Sequence, residues 1–149
     1  MICLRPIIVA IVCISLFFVF SGSCSKDESP TEPQSNIALV GNWELTKMSS
    51  IYQGVTETIT ESQLDSIGLV WTLKIENNGT IEQITNISGQ LVTMPGTWKT
   101  SANQLSLTLT GPSGGASTIV YEYAIDGNIL ELNWQIPAGS EFYAEFTKQ

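Results

Sequence analysis

The chain has 149 residues, six basic against fourteen acidic, and no histidine. The missing imidazole excludes Ser-His-Asp and Cys-His catalysis and any histidine metal site. A formal charge of −8 lacks the basic footprint that nucleic-acid phosphates require, and the length suits one domain.

Residues 1–6 carry one positive charge, Arg5, and Ile7–Phe20 is an apolar run of 14 residues with a single serine, Ser15. Ser21-Gly22-Ser23 follows, and then Cys24. This order of charged, apolar and small-residue regions is that of a cleaved export signal, and 14 residues fall short of the roughly 20 needed to span a bilayer. The setting of Cys24 resembles the lipobox of bacterial lipoproteins, although Ser21 stands where that family prefers Leu. The resemblance implies cleavage of residues 1–23 and acylation of Cys24. Acyl chains, at about 0.8 kcal/mol per buried CH₂, would anchor the chain to a lipid bilayer. An ordinary secreted protein cut after Ser21-Gly22-Ser23 is the alternative. Cut before Cys24, the chain keeps five Lys, no Arg and fourteen acidic residues, a formal charge of −9, and no disulfide can form within it.

Residues 24–36 are polar, acidic and contain two prolines. They cannot bury enough apolar surface to offset their ordering entropy and are expected to be a disordered tether. Ser25-Lys26-Asp27-Glu28 resembles the acidic stretch after the lipidated cysteine of surface-exposed Bacteroidetes lipoproteins, and a plain solvated linker accounts for it equally well. The expected location is the cell envelope, lipid-anchored at the outer membrane and facing either the periplasm or the exterior.

From residue 37 to 149 the apolar pattern has period two. Trp43 and Leu45 alternate, as do Leu69, Trp71, Leu73 and Ile75, then Leu105, Leu107 and Leu109. Ile119, Tyr121, Tyr123 and Ile125 form another stripe, followed by Leu130, Leu132, Trp134 and Ile136, and by Phe142, Ala144 and Phe146. Such alternation predicts half-buried antiparallel strands, here near 41–52, 69–76, 80–87, 90–94, 96–100, 104–110, 117–125, 129–136 and 141–147. The pieces at 90–94 and 96–100 read as separate strands or as one strand bulged at Pro95-Gly96. Thr60-Glu61-Ser62-Gln63 fits a capping box and Gly68 a stop, which predicts a short helix over Glu61–Ile67. About eight up-and-down strands close into a small all-β antiparallel barrel, with a two-sheet sandwich as the alternative.

Gly41-Asn42-Trp43, Asn78-Gly79-Thr80, Gly96-Thr97-Trp98 and Leu105-Ser106-Leu107 together resemble the lipocalin-like lipoproteins of Bacteroidetes, over most of residues 37–136. The resemblance implies a calycin-type barrel closed at one end. In lipocalins an Arg late in the chain packs over the opening Trp. The exported part here has no Arg, and Lys148 or Lys99 is the substitute on offer.

Trp43 and Trp98 each follow a Gly-x pair (Gly41, Gly96) and read as residues sealing the barrel floor. Tyr121, Tyr123, Trp71, Trp134 and Phe142 are the candidates for binding a small hydrophobic ligand, since a buried phenol normally needs a partner and a few polar groups in an apolar pocket make a ligand site. The same stripes would equally fill a solid barrel. A surface-displayed interaction or glycan-binding domain without an internal pocket is the other class, drawing on Tyr52, Tyr143 and exposed tryptophans. No spacing marks a catalytic residue, a metal site or a cofactor, so a non-enzymatic monomer is expected.

Overall fold

The structure, a computed structural model, describes residues 36–149 apart from 88, 137 and 138. The export segment 1–23, Cys24 and the tether up to 35 lie outside the described residues.

Asn36 opens the described chain. Its side chain accepts from the N–H of Ala38 and starts a 3₁₀ turn over Ile37–Leu39. Nine strands follow: β1 (Gly41–Tyr52), β2 (Val55–Thr60), β3 (Trp71–Ile75), β4 (Thr80–Ile87), β5 (Gln90–Ser101), β6 (Gln104–Thr110), β7 (Ala116–Asp126), β8 (Ile129–Gln135) and β9 (Glu141–Lys148). All pairings are antiparallel in the order β2-β1-β3-β4-β5-β6-β7-β8-β9, and β9 returns to pair with β1. The sheet closes on itself, so the predicted barrel forms and the sandwich alternative does not.

β2 and β3 lie on the same edge of β1. β3 pairs with Gly41–Glu44, and β2 with Lys47–Tyr52. The wall therefore has eight strand positions, the second of them interrupted by helix α1 (Glu61–Ile67). This helix forms where the capping residues predict it. The Thr60 N–H donates to Gln63 Oε1 at 2.9 Å, and Gly68 ends the helix at φ 65° with its N–H on the Asp65 carbonyl. Leu64 is the side chain that pins α1 to the core.

Two expectations need correction. The sequence pattern predicts no strand between residue 52 and the helix, whereas β2 stands there. Gln53 and Gly54 take φ 51° and 77°, the two positive angles that a tight hairpin of right-handed twist requires. In addition, 90–94 and 96–100 form one regular strand. β5 keeps its register with β4 through Pro95 and Gly96, and its pairing with β6 begins only at Gly96. Pro95 thus sits where one edge of β5 has no neighbour, and a missing N–H is tolerated there. The irregularity lies instead between Leu45 and Lys47, where β1 slips against β9.

Inward residues near the start of β1 are packed to near-zero exposure: Trp43, Leu73, Ile75, Ile81, Leu105, Leu130 and Phe146, with Leu39 beneath them. This end is the floor. Among the described residues the core lies between Leu39 and Phe146 and the sheet closes within Gly41–Lys148, so residues 36–149 are expected to fold by themselves.

Candidate functional site

Strand pairing decides which side chains meet inside the barrel. Residues opposite one another across a ladder share a face, so the inner face can be followed strand by strand from the floor to the other end, the mouth. Toward the mouth it runs through Met48 and Ser50 of β1, Glu57 and Ile59 of β2, Gln83 and Thr85 of β4, Val92 and Met94 of β5 and Ile119 of β7. These positions point inward yet are only half-buried, and Ile119 is 38% exposed. An inward-facing side chain that keeps solvent contact marks an end that other side chains do not fill.

Between floor and mouth lies an aromatic group. Trp71 meets Trp134 edge-on at 6.0 Å and Phe146 at 5.2 Å. Trp134 in turn meets Tyr121 edge-on at 5.5 Å and stacks on Phe142 at 5.3 Å. Edge-to-face and offset contacts of this length are favourable beyond the area they bury. Four of the five candidate binding residues, Tyr121, Trp71, Trp134 and Phe142, are therefore in one place. Tyr123 is not among them. It sits toward the floor, where its hydroxyl accepts from Asn36 Nδ2 at 3.0 Å. One inward stripe of β7 thus spans two environments, which period-two reading alone does not separate.

The group contains unpartnered polar atoms. Trp71 Nε1 is buried without a hydrogen-bond partner among the described residues, and so is Gln83 Oε1. Gln83 is opposite Leu73 on β3 and faces inward. The sequence reading missed it, although its place between Ile81 and Thr85 on an alternating strand is a visible signal.

Trp43 and Trp98 are both buried at the floor end. Trp43 Nε1 donates to the Leu39 carbonyl at 2.7 Å, and Trp98 Nε1 to the Glu76 carbonyl at 2.9 Å. Lys148, rather than Lys99, fills the role of the missing Arg. Its Nζ lies 5.0 Å from the Trp43 ring centre and donates to the Ala38 carbonyl at 3.3 Å. Gly41, at φ 147°, makes room for this side chain, since a Cβ there would lie 2.4 Å from Lys148 Cε. Trp98 is buried and has no face to offer a sugar. Tyr52 is exposed at the rim, and Tyr143 lies on the outer wall, where its hydroxyl donates to Glu131 Oε1 at 2.7 Å beside the Lys47–Glu145 ion pair.

Burial pushes the Tyr121 phenol above the usual tyrosine range. Burial does the same for Tyr143, reinforced by the Glu131 and then the Glu145 carboxylates. In the unfolded chain both phenols lose their protons near pH 10, while the barrel holds them. Above that pH the unfolded state binds fewer protons, so stability that is complete below it falls as pH rises. Thermal melts between about pH 8 and 11 should show Tm declining above about pH 10. The double variant Tyr121→Phe/Tyr143→Phe should flatten the decline, and an unchanged slope would refute the assignment.

Comparison with known proteins agrees with this geometry. The sequence profile described as "Lipocalin-like domain" matches residues 39–132. No curated protein matches the chain significantly. Among solved structures, a lipocalin-like protein from Bacteroides uniformis superposes with a TM-score of 0.51 at 16% identity, covering 75% of this chain and 99% of that one. An uncharacterized protein from Bacteroides eggerthii gives a TM-score of 0.49 at 16% identity, covering 74% and 98%. The profile match spans well over half of the chain, and the closed barrel with its sealed floor agrees with it: the chain belongs to the lipocalin-like domain family.

Proposed function

We propose that the chain is a membrane-anchored lipoprotein whose lipocalin-like barrel binds a small hydrophobic or amphipathic molecule at its open end, and that its role is binding rather than catalysis. The observation that carries the binding reading is the set Trp71, Tyr121, Trp134 and Phe142 beneath a mouth of half-buried inward residues, with two buried polar atoms left unpartnered. An apolar concavity with a few oriented polar groups is the usual anatomy of a small-molecule site.

Titrating residues 36–149 with an uncharged long-chain probe should quench tryptophan fluorescence to saturation. Trp134→Ala removes the ring that touches three of the other aromatics and should weaken binding about tenfold or more. Linear, non-saturating quenching in the parent protein would discard the pocket.

The anchoring part rests on Ile7–Phe20, Ser21-Gly22-Ser23 and Cys24. Labelled palmitate should enter the full chain in a bacterial host and fractionate with the outer membrane. Cys24→Ala should abolish the label, and incorporation that persists in this variant would remove the lipoprotein assignment.

A further inference from the structure

The three buried unpartnered polar atoms among the described residues are not equivalent. Asn86 leans toward the start of β3, where its Nδ2 donates to the Gly68 carbonyl at 2.9 Å. Trp71 Nε1 and Gln83 Oε1 instead belong to the inner face. Trp71 is opposite Thr85 and Gln83 opposite Leu73, which makes the two diagonal neighbours on adjacent strands, with backbones roughly 7–8 Å apart. One is a donor and the other an acceptor. A buried pair left without partners destabilises a fold. Its retention beneath an open mouth is explained when an occupant supplies both bonds.

The charges around the site define that occupant further. Each lysine of the barrel is placed elsewhere. Lys47 pairs with Glu145 and Lys74 with Glu76 on the outer wall, Lys148 is seated on Trp43 at the floor, and Lys99 is exposed on the outward side of β5. The barrel contains no Arg. The ionisable side chain on the inner face near the mouth is Glu57, opposite Ser50. A carboxylate head group entering here would shed its hydration with no cation among the described residues to meet it, and it would accept without being able to donate.

We propose that the site selects an uncharged amphiphile whose head group both accepts and donates a hydrogen bond, a hydroxyl above all, and discriminates against the matching carboxylate. This deepens the binding reading and rests on it. One hydroxyl accepts from Trp71 Nε1 and donates to Gln83 Oε1. The alkyl chain then runs toward the mouth past Met48, Ile59, Met94 and Ile119. Two of these are methionines, whose flexible thioethers adapt to irregular apolar shapes.

The test uses three probes of equal chain length with residues 36–149 at about pH 8, where a carboxylic acid is ionised: 1-dodecanol, methyl dodecanoate and sodium dodecanoate. The ester is uncharged and apolar but cannot donate, so it separates head-group recognition from hydrophobicity. Dodecanol should bind about tenfold tighter than either of the others. Gln83→Leu should erase most of the advantage of dodecanol over the ester, and Trp71→Phe, which removes a donor both head groups can use, should weaken dodecanol and the ester alike. Gln83→Lys should move the preference to dodecanoate. Gln83→Leu replaces an unpaired acceptor by an apolar side chain and is expected to fold, which an unchanged thermal transition verifies. Dodecanoate or the ester binding as tightly as dodecanol overturns the selectivity and leaves the pocket standing. An advantage over the ester that survives Gln83→Leu, or affinities left unchanged by Trp71→Phe, overturns the assignment to these atoms. Absence of binding by all three probes overturns the pocket as well.

Discussion

Trp43→Ala is expected to destabilise the barrel by about 3–5 kcal/mol, a large part of the roughly 5–15 kcal/mol that holds a domain of this size. The side chain is fully buried, and its backbone sits where β1 is held from both sides, opposite Leu73 of β3 and Lys148 of β9. Truncation removes the ring from the floor and leaves the Leu39 carbonyl without the indole N–H. It also takes away the surface over which Lys148 Nζ is held. Trp43→Phe keeps most of the volume but loses the donor, so about 1–2 kcal/mol is expected for that change. Urea unfolding followed by circular dichroism measures both. A shift below about 1 kcal/mol for the alanine variant is incompatible with a floor built on this residue.

Gly96→Ala is the second large effect, and its cause is different. A Cβ at Gly96 would lie 2.1 Å from the Thr108 carbonyl oxygen, 2.9 Å from its carbon and 3.0 Å from Leu109 Cα. All three are backbone atoms of β6, so no side-chain rotation relieves the clash. The β5–β6 ladder must spread where Gly96 opposes Leu109, next to the buried Trp98–Leu107 pair. A cost of about 3 kcal/mol or more follows, the upper range for overpacking a well-filled core. Gly54→Ala is the control. Gly54 has a positive φ, which Gly96 does not, and nothing lies within 4 Å of its virtual Cβ, so only backbone strain of about 1 kcal/mol is expected. Equal transition midpoints for the two variants would show that close strand approach is not what Gly96 provides.

The contrast between these glycines shows what is legible in a sequence. Gly41-Asn42-Trp43 and Gly96-Thr97-Trp98 mark the floor, because glycine before a large indole is a local pattern. Helix α1 is legible for the same reason, with Thr60, Gln63 and Gly68 within one short segment. β2 escaped because Val55–Thr60 carries no large apolar stripe. Its inward residues are Glu57 and Ile59, and its β-branched threonines face outward or sit at its end. The slip between Leu45 and Lys47 is also invisible locally, since it exists only in the match between β1 and a partner at the far end of the chain. The candidate site divides in the same way. Aromatic residues on alternating strands can be listed from sequence, but their convergence depends on register across β3, β8 and β9. That dependence places Trp71 beside Trp134 and leaves Tyr123 at the floor with Asn36. The inward position of Gln83 can be read from its place between Ile81 and Thr85, but that its oxygen is buried and unpaired is seen only in the fold.

The pairing of β1 with β9 joins segments such as Thr46 and Glu145 that are 99 residues apart along the chain. Most other ladders link neighbours in sequence and can form as soon as each hairpin is made. Closure cannot, because it must overcome the entropy of a loop that contains nearly the whole domain. The first strand is therefore the earliest to leave the ribosome and among the last to be sealed. Until Lys148 arrives over Trp43, β1 and β9 each present an edge able to pair with another chain. Time, rather than any single contact, is the exposed quantity of this architecture: for the interval between making the first strand and making the last, the protein depends on being kept apart from its own copies.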